Sequence, residues 1–600
     1  MELSEALAGE KSFSGVDNPT IRIGIVGCGS RGLTVLERIG ALSASTNRRI
    51  EVNVFEPQRP GPGLHAVDQA EYLMLNTVAS QISMFPDTAA LDGGTGRQGP
   101  NFYEWCLRFK SAERRIRPNE FLPRRWLGEY LAWTYEEVIR SLPVNVRVTH
   151  HARVVDNIEH TDMGRFVLST GGLNCCVDWL AITVGHARRS QHAGVEMARP
   201  SEDYSHPQLR DSQLSTNAVG IEGLGLAAMD AVADLTVGRG GRFSELKDGL
   251  RYEPSGREPR IYMFSRSGMP YRTRPDIVPH RTSGAASIFT LSAVADLRAA
   301  NPDGLDFEQQ VLPLIKAEML AEYYGMIASQ KGESAADIKA EIARAYYSAT
   351  LGAMSTEMAS RFNEPPLDEA VYNPRVVNID AADYPQAIRG FIERDIAQSS
   401  LGLDASPIKA AIEVWRSCRE QLRRAVDNQG LTPEARRVFF GIYAPHVNRM
   451  VAGPQKERHQ ELLALADAGI VHWVRYSEVI HSTTGRPTTI RSSGDLELPL
   501  GDVMKAHLPN AHSMSSFPEI VQVLKASGVI PSLNEYGEGV LVNSEGKAQP
   551  NLWITGPLVE GSTYYNHYVP SAGSYSRAFV DADRIAREML GLNVEVGAPV

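Results

Sequence analysis

A glycine-rich turn between two apolar segments constrains the fold of this chain more than any other feature. Residues 21–27, IRIGIVG, form a short β-branched run that is typical of a buried parallel strand. The turn GCGSRG follows directly at residues 27–32, then LTVLERIGAL has helical spacing, and a second apolar run, IEVNVFE, ends at Glu56. Strand, glycine turn, helix, strand and final acid together predict a Rossmann-like dinucleotide-binding domain.

Each part of this motif has a physical role in holding a dinucleotide. Gly27 permits the tight turn, Gly29 lets the backbone approach a pyrophosphate, and Gly32 lets the helix pack closely on the strand. The helix N-terminus presents N–H groups to the phosphates, and Glu56 is placed to bind the ribose hydroxyls. The contacts predicted here are those of Gly27, Gly29, Ser30, Arg31, Gly32 and Glu56. The alternative is a glycine turn in another kind of α/β unit.

The segment after Glu56 favours a flavin as the first ligand. It contains the glycine-rich sequence PQRPGPGLHA, which lets the chain fold over a large, flat molecule. Asn76, Gln81 and Ser83 then supply polar groups within the otherwise apolar stretch EYLMLNTVASQISMFPD. We predict that these three side chains contact the flavin of FAD, the alternative being that each one caps a turn.

A second strand, glycine turn and helix recur in AVGIEGLGLAAMDAVADL. Its GLGLAA sequence is a GxGxxA form of the same motif. A further strand, RIYMF, is followed by an arginine flanked by serines, at the place where a site for NAD usually has its ribose-binding acid. A guanidinium there suits the 2′-phosphate of NADPH, whereas the alternative for Arg266 is a solvated surface charge. The predicted contacts are those of Gly220, Gly223, Gly225, Leu226, Ser265 and Arg266.

Residues 285–440 differ from the two nucleotide motifs in their pattern. Segments such as QQVLPLIKAEMLAEYYG and DIKAEIARAYYSA have helical periodicity, so we predict a largely helical insertion that roofs the flavin and holds the substrate. Near the C-terminus, NLWITGP predicts a strand that completes the flavin sheet. Gly556 and a helix beginning near Ser574 are predicted to hold the pyrimidine end of the flavin through backbone N–H groups.

These elements predict an α/β fold with two Rossmann-like dinucleotide-binding domains and a largely helical insertion. Two such domains imply either two dinucleotides or one motif that has degenerated, and the simplest chemistry for two dinucleotides is hydride transfer from NADPH to FAD. The predicted boundaries are a disordered lead-in at 1–19, an FAD-binding domain at 20–190 and 541–600, an NADPH-binding domain at 191–284 and 441–540, and a helical domain at 285–440.

Composition narrows the remaining classes of function. The net charge of -10 argues against a broad nucleic-acid-binding surface, and no apolar run is long enough to span a bilayer. The five cysteines are scattered and none has zinc-ligand spacing, so neither a disulfide framework nor a metal site is expected. We therefore expect a cytoplasmic protein without nucleic-acid or membrane partners, and the sequence leaves a homo-oligomer open.

Five sequence segments carry a resemblance to a known family. They are GIVGCGSRG, VFEPQRPGPG, LNTVASQISMFPD, GIEGLGLAAMD and WITGPLVEGSTYYNHYVPSAGSYSRA. In these segments the chain resembles the FAD/NAD(P)-binding family related to the N-hydroxylating flavin monooxygenases. Pro86 and Asp87 stand where the ornithine and lysine N-monooxygenases have a lysine, which is a departure from those two groups. Within the family, the chain is similar in type to the L-aspartate N-monooxygenases that form nitrosuccinate.

The resemblance implies an activity and a kind of substrate. It implies an enzyme that uses FAD, NADPH and O2 to oxidise the primary amine of an amino acid, L-aspartate to nitrosuccinate, through a C4a-hydroperoxyflavin. In such chemistry the flavin carries the reaction and no catalytic side chain is expected. Two substrate carboxylates need cationic partners, and the candidates are Arg281, Arg449, His65 and His280.

Two other classes of protein remain open from the sequence. One is a flavin-dependent NAD(P)H reductase or dehydrogenase that forms no hydroperoxide. The other is a non-catalytic dinucleotide-binding protein that senses redox state. A long-lived peroxyflavin absorbance excludes the first class, and reduction of a bound flavin by NADPH argues against the second.

Overall fold

The structure, a computed structural model, describes residues 19–112, 114–185, 218–247, 249–277, 285–374, 379–480, 488–492, 497–500, 502–506, 517–530 and 539–592. Its strands are β1 (Ile21–Val26), β2 (Ile50–Phe55), β3 (Val146–His151), β4 (Asn157–His160), β5 (Phe166–Thr170), β6 (Leu173–Val177), β7 (Trp179–Ile182), β8 (Ala218–Glu222), β9 (Arg242–Leu246), β10 (Gly249–Glu253), β11 (Arg260–Phe264), β12 (Val471–Trp473), β13 (Tyr476–Ile480), β14 (Thr488–Ser492), β15 (Glu497–Leu500), β16 (Asp502–Lys505), β17 (Lys547–Gln549) and β18 (Leu552–Ile554). Its helices are α1 (Ser30–Leu42), α2 (Phe102–Phe109), α3 (Arg124–Arg140), α4 (Leu226–Leu235), α5 (Leu291–Ala300), α6 (Leu312–Gln330), α7 (Ala335–Tyr347), α8 (Leu351–Phe362), α9 (Glu369–Tyr372), α10 (Tyr384–Leu401), α11 (Pro407–Ser417), α12 (Arg419–Val426), α13 (Pro433–Val438), α14 (Ala444–Val451), α15 (Lys456–Asp467), α16 (Glu519–Ala526) and α17 (Arg577–Met589).

The first parallel sheet is built from both ends of the chain. Its strand order is β17-β18-β7-β1-β2-β3, and all neighbours are parallel except the edge strand β17. Ile21, Ile23 and Ile25 of β1 are fully buried, because helices that include α1 and α17 cover this side of the sheet and pack against each other. The antiparallel strands β4–β6 and helix α16 cover the other side.

The second parallel sheet has the strand order β12-β11-β8-β16. Helix α4 begins directly after the glycine turn that follows β8, which is the arrangement that the second nucleotide motif predicts. Val219, Ile221 and Ile261 belong to the core of this sheet. Two parallel sheets, each with a glycine turn between its first strand and the next helix, are therefore present in the described part of the chain.

Most helices between α5 and α14 share a third hydrophobic core. Phe307, Tyr324, Trp415 and Phe439 are among its buried members. Tyr564, from the segment that follows β18, is buried in the same core, and its ring meets the Phe439 ring edge-on with centroids 5.0 Å apart. The helical region is therefore packed on the C-terminal segment of the chain, close to the last strand of the first parallel sheet.

This architecture confirms the predicted fold class. Two helices, however, pack against a sheet that lies outside the predicted domain containing them. Helix α10, within residues 285–440, packs on the second sheet through residues such as Ile388. Helix α16, within residues 441–540, packs on the first sheet through Ile520 and Leu524. Helical periodicity identifies an apolar face but not its partner, so these contacts do not follow from the sequence. Among the described helices, none is both long and apolar enough to cross a membrane.

Candidate functional site

The first glycine turn is held by contacts that leave no room for side chains. Gly27 has a φ of 87°, which favours glycine, and a Cβ on it would lie 2.9 Å from the backbone nitrogen of Val184. A Cβ on Gly32 would lie 2.3 Å from the carbonyl oxygen of Gly27. Gly27 therefore makes the turn, and Gly32 lets α1 pack against the end of β1.

Gly29, by contrast, borders open space. It precedes α1 as the capping residue, and no side chain caps this helix, which is the arrangement found where a helix N-terminus binds an anion. Glu56, directly after β2, accepts a hydrogen bond from the backbone nitrogen of Cys28 at 3.0 Å. Gly29, Ser30, Arg31 and Glu56 all line one large cavity, so their placement fits the pyrophosphate and ribose of a dinucleotide.

This cavity has a volume of about 1930 Å³. Pockets for a single small molecule usually measure about 300–1,000 Å³, so there is room for a dinucleotide together with a second ligand. Gly27, His65, Asn76, Gln81 and Ser574 also line the cavity. Asn76 and Gln81, which are predicted to contact the flavin, thus line the same cavity as the first glycine turn.

Ser83 and Gly556 lie outside the lining of this cavity. The Ser83 hydroxyl donates to the Phe85 carbonyl oxygen at 3.0 Å and accepts from the Phe85 backbone nitrogen at 3.1 Å, so it stabilises a turn. Gly556 has a φ of 83°, and a Cβ on it would lie 3.3 Å from Cγ of Arg31. Arg31 in turn donates to the Asn566 carbonyl oxygen at 3.0 Å, so these contacts join α1 to the C-terminal segment.

The second glycine turn repeats this arrangement after β8. Gly223 has a φ of 145°, and a Cβ on it would lie 2.5 Å from the Ala506 carbonyl oxygen. Gly225 precedes α4 without a side-chain cap, and Leu226 is the first residue of the helix. The Tyr271 ring lies against the turn, 3.0 Å from a Cβ built on Gly225. The turn therefore has the shape of a second dinucleotide motif, with an aromatic ring packed on it.

The other residues predicted for the second site lie in and beside its sheet. Gly220 is within β8, where a Cβ would lie 2.6 Å from Cδ1 of Leu500, so its small size serves packing. Ser265 and Arg266 follow β11, whose carboxyl end lies beside that of β8. The Ser265 hydroxyl accepts from the Gly268 backbone nitrogen at 3.1 Å. Arg266 is exposed and has no hydrogen bond or ion pair with another described residue, which leaves its guanidinium available for a phosphate.

The residues predicted to bind substrate carboxylates fall in three different places. Arg281 and His280 lie outside the described residues. Arg449 does not line the cavity, and its guanidinium donates a hydrogen bond to the Asn373 side chain. His65 does line it, but burial, reinforced by a nearby arginine, lowers the pKa of His65 to about 3. Its imidazole is therefore neutral near neutral pH and is no cationic partner for a carboxylate.

Apart from Arg153, four arginines that the sequence motifs do not indicate also line the cavity. They are Arg274, which precedes the helical region, and Arg416, Arg419 and Arg423 of α11 and α12. The last three are spaced as one face of a helix within WRSCREQLRR, which is the sequence signal that would identify them. Arg274 lies 3.5 Å from Glu413, and Arg423 forms an ion pair with Glu420, so both of these have carboxylate partners.

Arg416 and Arg419 carry positive charge with little compensation. Arg416 Nε is 3.8 Å from the carboxylate of Glu413, which also contacts Arg274. Arg419 stacks 3.6 Å from the centroid of the Tyr565 ring and has no carboxylate within ion-pair distance in the described part of the chain. Burial, and then the neighbouring arginine charges, lower the pKa of both guanidinium groups. Arg416 shares its only carboxylate partner among the described residues with Arg274, and Arg419 has none, so the two guanidinium groups are candidates for binding a ligand that bears carboxylates.

Comparison with known proteins bears on the first nucleotide site. Residues 24–187, which contain the first glycine turn, match the family described as FAD-NAD(P)-binding. The match includes Glu56 and the segments of the cavity lining that hold Asn76 and Gln81. The resemblance to this family found in the sequence is confirmed.

Relatives of known activity are similar over three quarters or more of the chain. The nitrosuccinic acid synthase npaA of Aspergillus oryzae is 29% identical, over 95% of this chain and 93% of its own length. An L-aspartate N-monooxygenase (nitrosuccinate-forming) of Streptomyces davaonensis is 28% identical, over 75% of this chain and 76% of its own length. The enzyme of the same name from Streptomyces cremeus is 26% identical, over 95% and 94%. The similarity therefore extends beyond the segment that matches the FAD-NAD(P)-binding family, into the helical region.

Proposed function

We propose that this chain is a FAD- and NADPH-dependent N-monooxygenase that oxidises the primary amine of L-aspartate to nitrosuccinate with O2. The family of the first domain supports a flavin and a nicotinamide nucleotide as cofactors. The names of the three relatives support the substrate and product, because each of them is named for nitrosuccinate or nitrosuccinic acid formation. The chemistry that bound FAD supplies is acceptance of hydride from NADPH and activation of O2.

One observation carries the assignment of a dicarboxylate substrate. The cavity that begins at the first glycine turn also contains Arg416 and Arg419, whose guanidinium groups lack sufficient carboxylate partners. L-Aspartate brings two carboxylates and one amine, so both arginines gain an anionic partner when it binds. Guanidinium and carboxylate groups match in shape as well as charge, because each can form two parallel hydrogen bonds.

The side chains of the cavity then have separate tasks. Gly29, Ser30 and Glu56 would hold the dinucleotide part of FAD, and Asn76 and Gln81 would contact its ring system. Ion pairs at both substrate carboxylates restrict the amine to one orientation, and such positioning accelerates a reaction between bound groups. The bound substrate also fills space that water would otherwise occupy, and exclusion of water protects a reactive oxidant from side reactions.

The proposed function is tested by aerobic NADPH consumption with L-aspartate, L-asparagine and L-ornithine, with products identified by mass spectrometry. We expect L-aspartate to accelerate NADPH consumption and to leave as an N-oxidised product. L-Asparagine keeps the amine but lacks the second carboxylate, so we expect at least about a tenfold lower kcat/KM. Absence of an N-oxidised product from L-aspartate contradicts the proposal, and equal use of L-asparagine contradicts the two-arginine site.

The NADPH assignment rests on the position of Arg266. Arg266→Ala is expected to raise the KM for NADPH by about tenfold to a hundredfold, because a charge-assisted contact contributes about 1.5–3 kcal/mol. The KM for NADH is expected to change little, because NADH has no 2′-phosphate. Steady-state kinetics of flavin reduction with each nucleotide measure the two effects.

Arg260 provides a matched control for this experiment. It is an exposed arginine at the opposite, amino end of β11, so Arg260→Ala removes the same charge from the same strand away from the glycine turn. We expect this variant to retain the parental preference for NADPH. If Arg266→Ala weakens both nucleotides equally, the side chain does not bind the 2′-phosphate.

A further inference from the structure

Tyr565 has an uncommon backbone conformation at the wall of the cavity. Its φ is 62°, in the left-handed region that a bulky residue rarely adopts. The Glu560 carboxylate holds this conformation from one side by accepting from the backbone nitrogens of Tyr565 and Asn566 at 2.9 and 2.8 Å. Arg423 holds it from the other side by donating to the carbonyl oxygens of Tyr564 and Tyr565 at 3.1 and 2.9 Å. Backbone strain that is held in this way is common at functional sites.

The Tyr565 side chain lines the cavity beside the arginine pair. The guanidinium of Arg419 lies 3.6 Å from its ring centroid, and the Tyr568 ring stacks with it at a centroid distance of 6.0 Å. Within the described residues, the Tyr565 hydroxyl has no hydrogen-bond partner. A phenol is therefore held next to the carboxylate-binding guanidinium groups with its oxygen available to a ligand.

The charges around Tyr565 favour the phenolate. Burial alone raises the pKa of a phenol, but here the positive charges of the arginines outweigh it and the pKa of Tyr565 lies below its usual value. The charged and titratable groups that face it are Arg419, Arg416, Arg274, Arg423, Glu560, Tyr564 and Tyr568, with Glu413 and Glu420 paired to three of the arginines. The adjacent Tyr564 differs, because burial there outweighs the arginine charges and raises the pKa of its phenol.

We propose that Tyr565 is the general base that removes a proton from the substrate ammonium group, a role that rests on the proposed function. An amine can attack an electrophilic oxygen only with a free electron pair, whereas the amino group of an amino acid is protonated near neutral pH. In the transfer, one N–H bond of the ammonium breaks, an O–H bond forms on Tyr565, and the electron pair stays on nitrogen. No oxidant or further reactant is needed for this step.

Substrate binding strengthens this base. While the cavity lacks a dicarboxylate, the arginine charges stabilise the phenolate of Tyr565. When two carboxylates pair with Arg416 and Arg419, they neutralise part of that charge, so the pKa of Tyr565 rises and the phenolate binds a proton more tightly. The same carboxylates bring the ammonium group into the cavity, so the base becomes stronger in the complex that needs it.

Tyr565→Phe tests the catalytic role through the pH dependence of product formation. Phenylalanine keeps the ring that stacks on Arg419 and adopts the same backbone as readily as tyrosine, so the variant is expected to fold and to bind FAD. We expect the rate of N-oxidised product formation to fall by about a hundredfold near neutral pH, the lower end of a typical general-base contribution. The loss should shrink as pH rises, because the substrate amine then loses its proton to solvent, while flavin reduction by NADPH stays unchanged.

A titration of the phenol provides a readout that does not depend on turnover. The ultraviolet absorbance of tyrosinate, taken as the difference between the parent protein and Tyr565→Phe, should show one phenol that titrates below the usual pKa. Succinate, a dicarboxylate without an amine, should move that midpoint to higher pH. If succinate does not change this midpoint, carboxylate binding does not affect the pKa of Tyr565, and the proposed coupling is wrong.

Tyr564→Phe is the matched control, because it removes the neighbouring phenol, which is buried in the helical core and does not line the cavity. We expect this variant to keep the parental pH profile. If Tyr565→Phe also keeps that profile while the parent protein forms the N-oxidised product, the general-base role is wrong and the proposed function stands. If the parent protein forms no such product from L-aspartate, the proposed function itself is wrong.

Discussion

Replacing Gly29 with valine is expected to give a folded protein that retains no flavin. A Cβ at this position would meet the Cα and the backbone nitrogen of Gly63 at ordinary contact distances of 3.4 and 4.0 Å, so the protein itself tolerates a side chain there. The two branches of valine would then occupy the space next to the α1 N-terminus, where the pyrophosphate must approach the backbone. The flavin absorbance of the purified protein measures the loss, and circular dichroism with thermal unfolding shows that the fold is intact.

Gly32→Ala separates loss of flavin from loss of the fold. Its Cβ would lie 2.3 Å from the carbonyl oxygen of Gly27, so α1 has to move away from the turn. Such overpacking usually costs about 1–3 kcal/mol, and we expect a lower melting temperature together with reduced flavin content. A folded Gly29→Val protein with normal flavin content, in contrast, shows that the first turn does not bind the FAD pyrophosphate.

The double variant Arg416→Gln/Arg419→Gln is expected to lower kcat/KM for L-aspartate on the order of a thousandfold. Each charge-assisted contact contributes about 1.5–3 kcal/mol, and two such contacts together amount to roughly this factor. A poorly held amine also misses the oxidant, so the NADPH that is still consumed should yield hydrogen peroxide instead of an N-oxidised product. Product mass, peroxide and NADPH consumption measured in one reaction give both effects.

Arg424→Gln is the matched control on α12, the helix of Arg419, because Arg424 is exposed and does not line the cavity. This variant should keep the parental kcat/KM and the parental yield of product per NADPH. Flavin reduction by NADPH should be similar in all three proteins, because none of these arginines belongs to a glycine turn. If the double variant uses L-aspartate normally, its carboxylates are held elsewhere in the protein.

The first nucleotide site could be predicted from the sequence because its parts are local. Gly27, Gly29 and Gly32 act within one turn, and Glu56 follows the next strand, whose parallel pairing to β1 places the acid beside that turn. The periodicity of the flanking segments and the residue types in the turn were therefore sufficient to predict this site. The second turn was predicted for the same reason, although Gly220 packs against Leu500, a residue of a strand that lies far along the chain.

The arginine pair could not be predicted in the same way because it depends on distant parts of the chain. Arg419 stacks on the Tyr565 ring, and Arg416 shares the Glu413 carboxylate with Arg274. The sequence shows many arginines of similar local pattern, and only packing decides which ones face the cavity. Arg449 illustrates this, since it looks equally suitable in the sequence but contacts the Asn373 side chain outside the cavity lining.

The first sheet combines strands that are far apart in the sequence, and this affects when it can be completed during synthesis on the ribosome. Strand β7 is synthesised early, yet its neighbour β18 and the helix α17 that packs on α1 are among the last described elements to emerge. Until then, β7 has an unpaired edge, and such an edge is prone to pairing with other chains. Tyr565, Asn566 and Ser574 line the cavity and follow β18, so flavin capture has to wait until this segment has been synthesised. A prematurely terminated chain lacking β18 is expected to bind no flavin, so that incomplete products cannot consume NADPH or release peroxide in the cell.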